Sequence, residues 1–89
     1  MQKPVRHDIR QFVIQNFLFG QEEHLSDHES FLESGIIDST GVLELVGFLE
    51  EHFGISIGHD ELMPANLDSV DCVTGFVERK LNQGTRVAN

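Results

Sequence analysis

The chain has 89 residues, 39% of them hydrophobic, with fifteen acidic side chains against six Lys and Arg and a net charge of −9. One domain with a modest core is the expected outcome at this length. A single cysteine, Cys72, excludes an internal disulfide and a Cys-rich metal site. The bases Lys3, Arg6, Arg10, Arg79, Lys80 and Arg86 all lie toward the two ends, while from Gln11 to Val77 there is no Lys or Arg and every acid except Asp8 and Glu78 is found. Such a surface repels nucleic acid and anionic lipid and attracts basic protein surfaces.

Val5, Ile9, Phe12, Val13 and Phe17 recur at helical spacing and predict a first helix. Pro4 stands near its start and Gly20 is the expected stop. From Gln21 to Asp38 the period is lost, which predicts a long loop pinned by Phe31-Leu32 and Ile36-Ile37. Ser26 and Glu29 are spaced to cap a single turn just before Phe31.

The second helix is expected from about Ser39 to Phe53, with Val42, Leu45, Val46, Leu49 and Phe53 as its buried stripe. Asp38 is a suitable N-cap and Gly54 a suitable terminator. Ile55 and Ile57 alternate along a short extended link. Asp60 to Met63 predicts one short helical turn, stopped by Pro64. Asp68 is the expected cap of a last helix whose apolar face is Val70, Val73, Val77 and Leu81, with an exit at Gly84. These elements predict an all-α fold, a small antiparallel four-helix bundle of three longer helices and one short, with the long loop between helices one and two. The domain is expected to span residues 1–84, with 85–89 a frayed tail.

Ser39 follows Asp38 at a helix start. No residue near it is recognisable as a base, so it is a poor catalytic nucleophile and a good acceptor for a group that another enzyme installs. No catalytic residue is assigned. Advancing about 100° per residue from Thr40 puts Glu44, Gly47 and Glu51 on one face, with Leu43 at its border. Charged and small residues are ordinary on a solvated face. This one is set apart because it begins beside Ser39. His24 and His28 are spaced to share a metal on a helix, but they fall in the expected loop, and no calcium-loop pattern is present. No metal site is assigned, and Cys72 reads as a packed side chain.

The run Gly35-Ile36-Ile37-Asp38-Ser39-Thr40, followed by Glu44-Leu45-Val46, Leu49-Glu50-Glu51 and Phe53-Gly54-Ile55, resembles the acyl carrier protein family over about Val5 to Leu81. The resemblance implies a four-helix carrier, not an enzyme, with 4′-phosphopantetheine transferred from coenzyme A to Ser39 by a phosphopantetheinyl transferase. The arm's thiol would hold an acyl or aminoacyl group as a thioester. Asp38, Thr40, Leu43, Glu44, Gly47 and Glu51 fall where the family meets its partners. Those would be the transferase, a loading ligase and a downstream acyl-transfer or condensing enzyme. A cytoplasmic monomer without membrane insertion is expected, since no apolar run approaches spanning length and the N-terminus lacks a signal-peptide core.

Several residues depart from the best-known fatty-acid carriers. Thr40 stands where leucine is usual, Gly41 and Gly47 are smaller or less charged than is typical, and Ile36-Ile37 is closer to carriers of specialised pathways. Seven phenylalanines leave less core for a long chain. These departures favour a dedicated carrier of a smaller pathway. The alternative is an unmodified acidic helical adapter that binds a basic protein.

Overall fold

The computed structural model describes residues 4–21 and 25–87, with the backbone alone from residue 83. It is all-α among the described residues. Helix α1 is Val5–Phe17, α2 Phe31–Ser34, α3 Ser39–Phe53, α4 Pro64–Leu67 and α5 Val70–Val87, with a 3-10 turn at His59–Glu61. Helices α1, α3 and α4 all pack against α5.

The three long helices follow their apolar periods. Val5, Ile9, Val13 and Ile14 are buried from α1, and Gly41, Leu45, Leu49 and Phe53 from α3. Val70, Val73, Phe76 and Val77 complete the core from α5. Phe31 and Ile37 are also fully buried, so one residue of each apolar pair between α1 and α3 anchors that segment, while Leu32 is exposed and Ile36 half-buried. Asp38 caps α3 by accepting from the Gly41 N–H at 2.7 Å. Gly54 closes the helix in the left-handed region at φ 68°, where a β-carbon would be strained.

The short elements differ from expectation. Where one short helix was expected, there are two of four residues each and a 3-10 turn. Pro64 begins α4 instead of stopping a helix, because at the first helical position its missing N–H costs nothing. The turn in the first long connection starts at Phe31, and its cap is Ser30, whose Oγ accepts from the Glu33 N–H at 3.1 Å. Ser26 only closes a backbone turn with the Glu29 N–H. Ser69, not Asp68, caps α5, its Oγ accepting from the Cys72 N–H at 3.1 Å. Helix α1 ends at Phe17, before Gly20, and Phe19 takes a left-handed conformation at φ 52°. Helix α5 runs past Gly84 to Val87.

No helix among the described residues is long and apolar enough to cross a membrane.

Candidate functional site around Ser39

Ser39 is the first residue of α3 and is exposed. The Asp38 carboxylate is committed to the Gly41 N–H, and the Asp38 carbonyl accepts from the Val42 N–H at 3.0 Å. Among the described residues, the Ser39 and Thr40 N–H groups and the Ser39 hydroxyl have no hydrogen-bond partner. Unfilled donors at the positive end of a helix dipole suit a phosphate ester on that hydroxyl. Asp38 opposes it by repulsion. The donor set and the exposure of Ser39 therefore fit a phosphopantetheine group carried at this position.

Gly41 makes the approach possible from below. A β-carbon there would lie 2.8 Å from Ile37 Cγ2 and 2.9 Å from Phe17 Cε1. The helix start is thus seated directly on Phe17 and Ile37, which fixes where Ser39 emerges. Sequence reading noted the small residue without seeing this role; its place two residues after Ser39 was the available signal.

Asp38, Thr40, Leu43, Glu44, Gly47 and Glu51 are all exposed, with Leu43 at 62%. A β-carbon added at Gly47 would meet nothing within 4 Å. Among the described residues the acids on this face stand without Lys or Arg, and four of the six bases are engaged elsewhere. Arg6 bonds Asp27 and Asp71, and Arg10 bonds Asp27. Lys80 bonds Glu61 at 3.0 Å, and Arg79 bonds the Asn66 side chain at 3.2 Å. Among the described residues no Lys or Arg pairs with an acid of α3. Arg6, through a hydrogen bond, and then His28 hold the Asp71 carboxyl below its ordinary range. The Gly58 N–H and then Lys80 do the same for Glu61.

A cleft of about 290 Å³ opens beside Ser39. One wall is Val42 and Leu43 of α3 with Leu32 of α2; the other is Leu62, Met63, Pro64, Leu67 and Asp68. The second wall was not anticipated from sequence. Its one usable signal was the apolar pair Leu62-Met63 ahead of Pro64. Leu32, Leu43 and Met63 are each exposed despite their size, at 47%, 62% and 45%.

Of the two histidines spaced to share a metal, His28 is the one among the described residues. His28 contacts Asp71, and His24 lies outside the described residues. Among the described residues no group of His, Cys, Asp and Glu is placed to hold a metal ion. Cys72 is half-buried on α5.

Residues 18–71, more than half of the chain, match the family described as "Phosphopantetheine attachment site". The chain is also similar to a probable acyl carrier protein, PigG, of Serratia sp. (strain ATCC 39006). The two are 33% identical over 67 residues, which cover 75% of this chain and 77% of that protein. Carriers of this kind work with modifying and biosynthetic enzymes. The chain belongs to the acyl carrier protein family: it is a carrier that functions through 4′-phosphopantetheine and not a catalyst in its own right.

Proposed function

We propose that Ser39 is the attachment residue and that the chain carries an acyl or aminoacyl thioester for a specialised biosynthetic pathway. The observation that carries this reading is the exposed, unpartnered Ser39 hydroxyl on the first residue of α3, beside unfilled backbone donors. When bound, the prosthetic arm supplies the thiol that holds the cargo. The chain's own residues have simpler tasks. Ser39 offers its oxygen to a transferase that provides the base. The Ser39 and Thr40 N–H groups stabilise the ester's negative charge. Asp38 keeps the helix start in place through Gly41.

Asp38, Thr40, Leu43, Glu44, Gly47 and Glu51 form the face that partners meet: the transferase, a loading ligase and a downstream acyl-transfer or condensing enzyme. The uncompensated acids steer basic partner surfaces toward Ser39. The bundle is an antiparallel four-helix one in which the 3-10 turn and α4 together serve as the short member. The carrier domain is 1–84 with 85–89 as a tail, and it works as a monomer in the cytoplasm.

The test is intact-protein mass spectrometry after incubation with coenzyme A and a broad-specificity phosphopantetheinyl transferase. The expected result is a gain of one phosphopantetheine group that is lost in Ser39→Ala, with the far-ultraviolet circular dichroism of the variant unchanged. A chain that gains no mass, or a gain that persists in Ser39→Ala, defeats the reading and leaves the unmodified acidic adapter.

A further inference from the structure

Helix α1 ends at Phe17, and two residues on Phe19 has φ 52°, the one left-handed non-glycine among the described residues. That region is unfavourable for an L side chain and is ordinarily taken by glycine. The ring gains nothing within the chain in return. Phe19 is 87% exposed, the barest large hydrophobic side chain among the described residues. A backbone held in an unfavourable region while it presents an uncovered ring is the reverse of what stability alone favours.

Phe19 borders a groove of about 400 Å³ whose walls include Phe17, Leu18 and Ile36, with Glu29 as its one ionisable lining residue. The groove shares no residue with the cleft at Leu43 and Met63. Its lining hydroxyl is satisfied inside the chain: Ser34 Oγ donates to the Phe31 carbonyl and accepts from the Ile36 N–H, each at 3.4 Å. The groove also adjoins the start of α3. Phe17 is part of the seat of Gly41, and Gly35-Ile36 lead into the Asp38-Ser39 cap.

The charges around the groove narrow what covers the ring. Glu29 and Glu33 are exposed, and among the described residues neither has an ion pair. An apolar knob beside unpaired acids is complementary to an apolar pocket edged by Lys or Arg. A second copy of the chain, at net charge −9, would bring acids to acids and is repelled. Enzymes that act on the cargo meet the far end of a flexible arm. The transferase must bring its reacting group to the Ser39 oxygen itself, so its footprint extends over the surface around the start of α3.

Resting on the reading of Ser39 as the attachment residue, we propose that Phe19 is an anchor for the phosphopantetheinyl transferase. Its ring enters an apolar pocket of that enzyme, with a basic residue of the pocket edge set against Glu29.

The experiment measures initial rates of mass gain for the full unmodified chain with coenzyme A and a broad-specificity phosphopantetheinyl transferase over a range of carrier concentrations. Thermal melts of each variant are followed by circular dichroism. Phe19→Gly should raise KM for the carrier by about tenfold, the loss of one buried aromatic anchor. Its kcat should stay nearly unchanged, because the ring does not touch the reacting atoms. The same variant should melt no lower than the unsubstituted chain, since glycine takes the left-handed region freely and little buried surface is lost. Phe19→Leu keeps an apolar knob and should restore most of the KM. Glu29→Gln should raise KM at low salt and leave it unchanged at high salt.

A Phe19→Gly chain with the KM of the unsubstituted one overturns the proposal while leaving Ser39 as the attachment residue. So does a Phe19→Gly chain that melts lower or loses helix, because the ring then serves the fold. A Glu29→Gln chain whose KM is unchanged at low salt overturns the basic pocket edge. An unsubstituted chain that gains no mass defeats the attachment reading and this inference with it.

Discussion

Gly41 and Gly47 occupy the same helix and should respond oppositely to the same substitution. A glycine inside a helix is less favourable than alanine by about 0.5–1 kcal/mol. At Gly47 the added methyl would meet nothing within 4 Å, so Gly47→Ala should realise that gain in full. At Gly41 the methyl would sit 2.8 Å from Ile37 Cγ2 and 2.9 Å from Phe17 Cε1, inside normal contact distance. Ile37 is 1% exposed and has no open side to yield toward. Overpacking of this kind costs about 1–3 kcal/mol, which offsets the helix gain and leaves a net loss of roughly 0–2 kcal/mol.

For a domain of this size each kcal/mol moves the melting temperature by about 4–8 °C. Gly47→Ala should therefore melt several degrees above the unsubstituted chain, and Gly41→Ala at or below it. Circular dichroism at 222 nm, the ordinary helix band, is the suitable assay, because the chain has no Trp or Tyr to report by fluorescence. If Gly41→Ala melts above Gly47→Ala, the seating of the helix start on Phe17 and Ile37 is not as tight as argued.

Two further outcomes follow from the same structure. Asp71 and Glu61 have folded pKa values below the ordinary carboxylate range, so their stabilisation is complete above the unfolded value near 4 and is lost as pH falls through the folded one. Melting temperature should drop on acidification below about pH 4, and Asp71→Asn should make that fall shallower; an equally steep fall in the variant would move the effect to other carboxylates. Thr74 Oγ1 is buried with no partner among the described residues. Thr74→Val removes an unmet hydroxyl at nearly constant shape and should raise stability by about 1 kcal/mol in a thermal melt; a lower melting temperature would reveal a partner the hydroxyl does have.

What the sequence disclosed divides along the range of the interactions involved. Helix α3 was legible because its cap Asp38, its apolar stripe and its terminator Gly54 are all local signals, and its bounds are the expected Ser39–Phe53. Helix α2 was not, because Phe31-Leu32 is too short to show a period. That turn is held by Asp68, whose carbonyl accepts from the Phe31 N–H at 2.7 Å and whose carboxylate takes the Leu32 N–H. Asp68 itself was misplaced as a cap for the same reason: both it and Ser69 are good capping types, and only tertiary contact with α2 distinguishes them. Pro64 is ambiguous in sequence, since the residue that cannot continue a helix is also the one best suited to begin it. The candidate site shows the same division. The Asp38-Ser39 start and the acidic face are contiguous in the chain and could be read. The far wall of the cleft, from Leu62 to Asp68, is brought to Ser39 only by folding.

The allocation of charge links these elements to the proposed carrier role. Arg6 and Arg10 bond Asp27, and Arg6 with His28 also engages Asp71, so the scarce cations tie α1 and the first connection to α5. Those pairs lie among exposed or half-exposed groups, where an isolated ion pair contributes little. Their larger consequence is where they leave no cation. Glu44 and Glu51 remain exposed, and among the described residues neither has an ion pair. On the proposed reading, an arriving basic enzyme does not have to displace an internal lysine or arginine before it contacts the face next to Ser39. A carrier that hands cargo between successive enzymes gains from fast encounter and fast release more than from tight binding, and unpaired rim charges act mainly on the rate of encounter. Moving one of the bases onto this face, as in Gly47→Lys, would leave the net charge less negative yet place a cation where the proposed partners bring theirs. Modification by the transferase should then slow more than the change in net charge alone requires, and the slowing should shrink as salt is added.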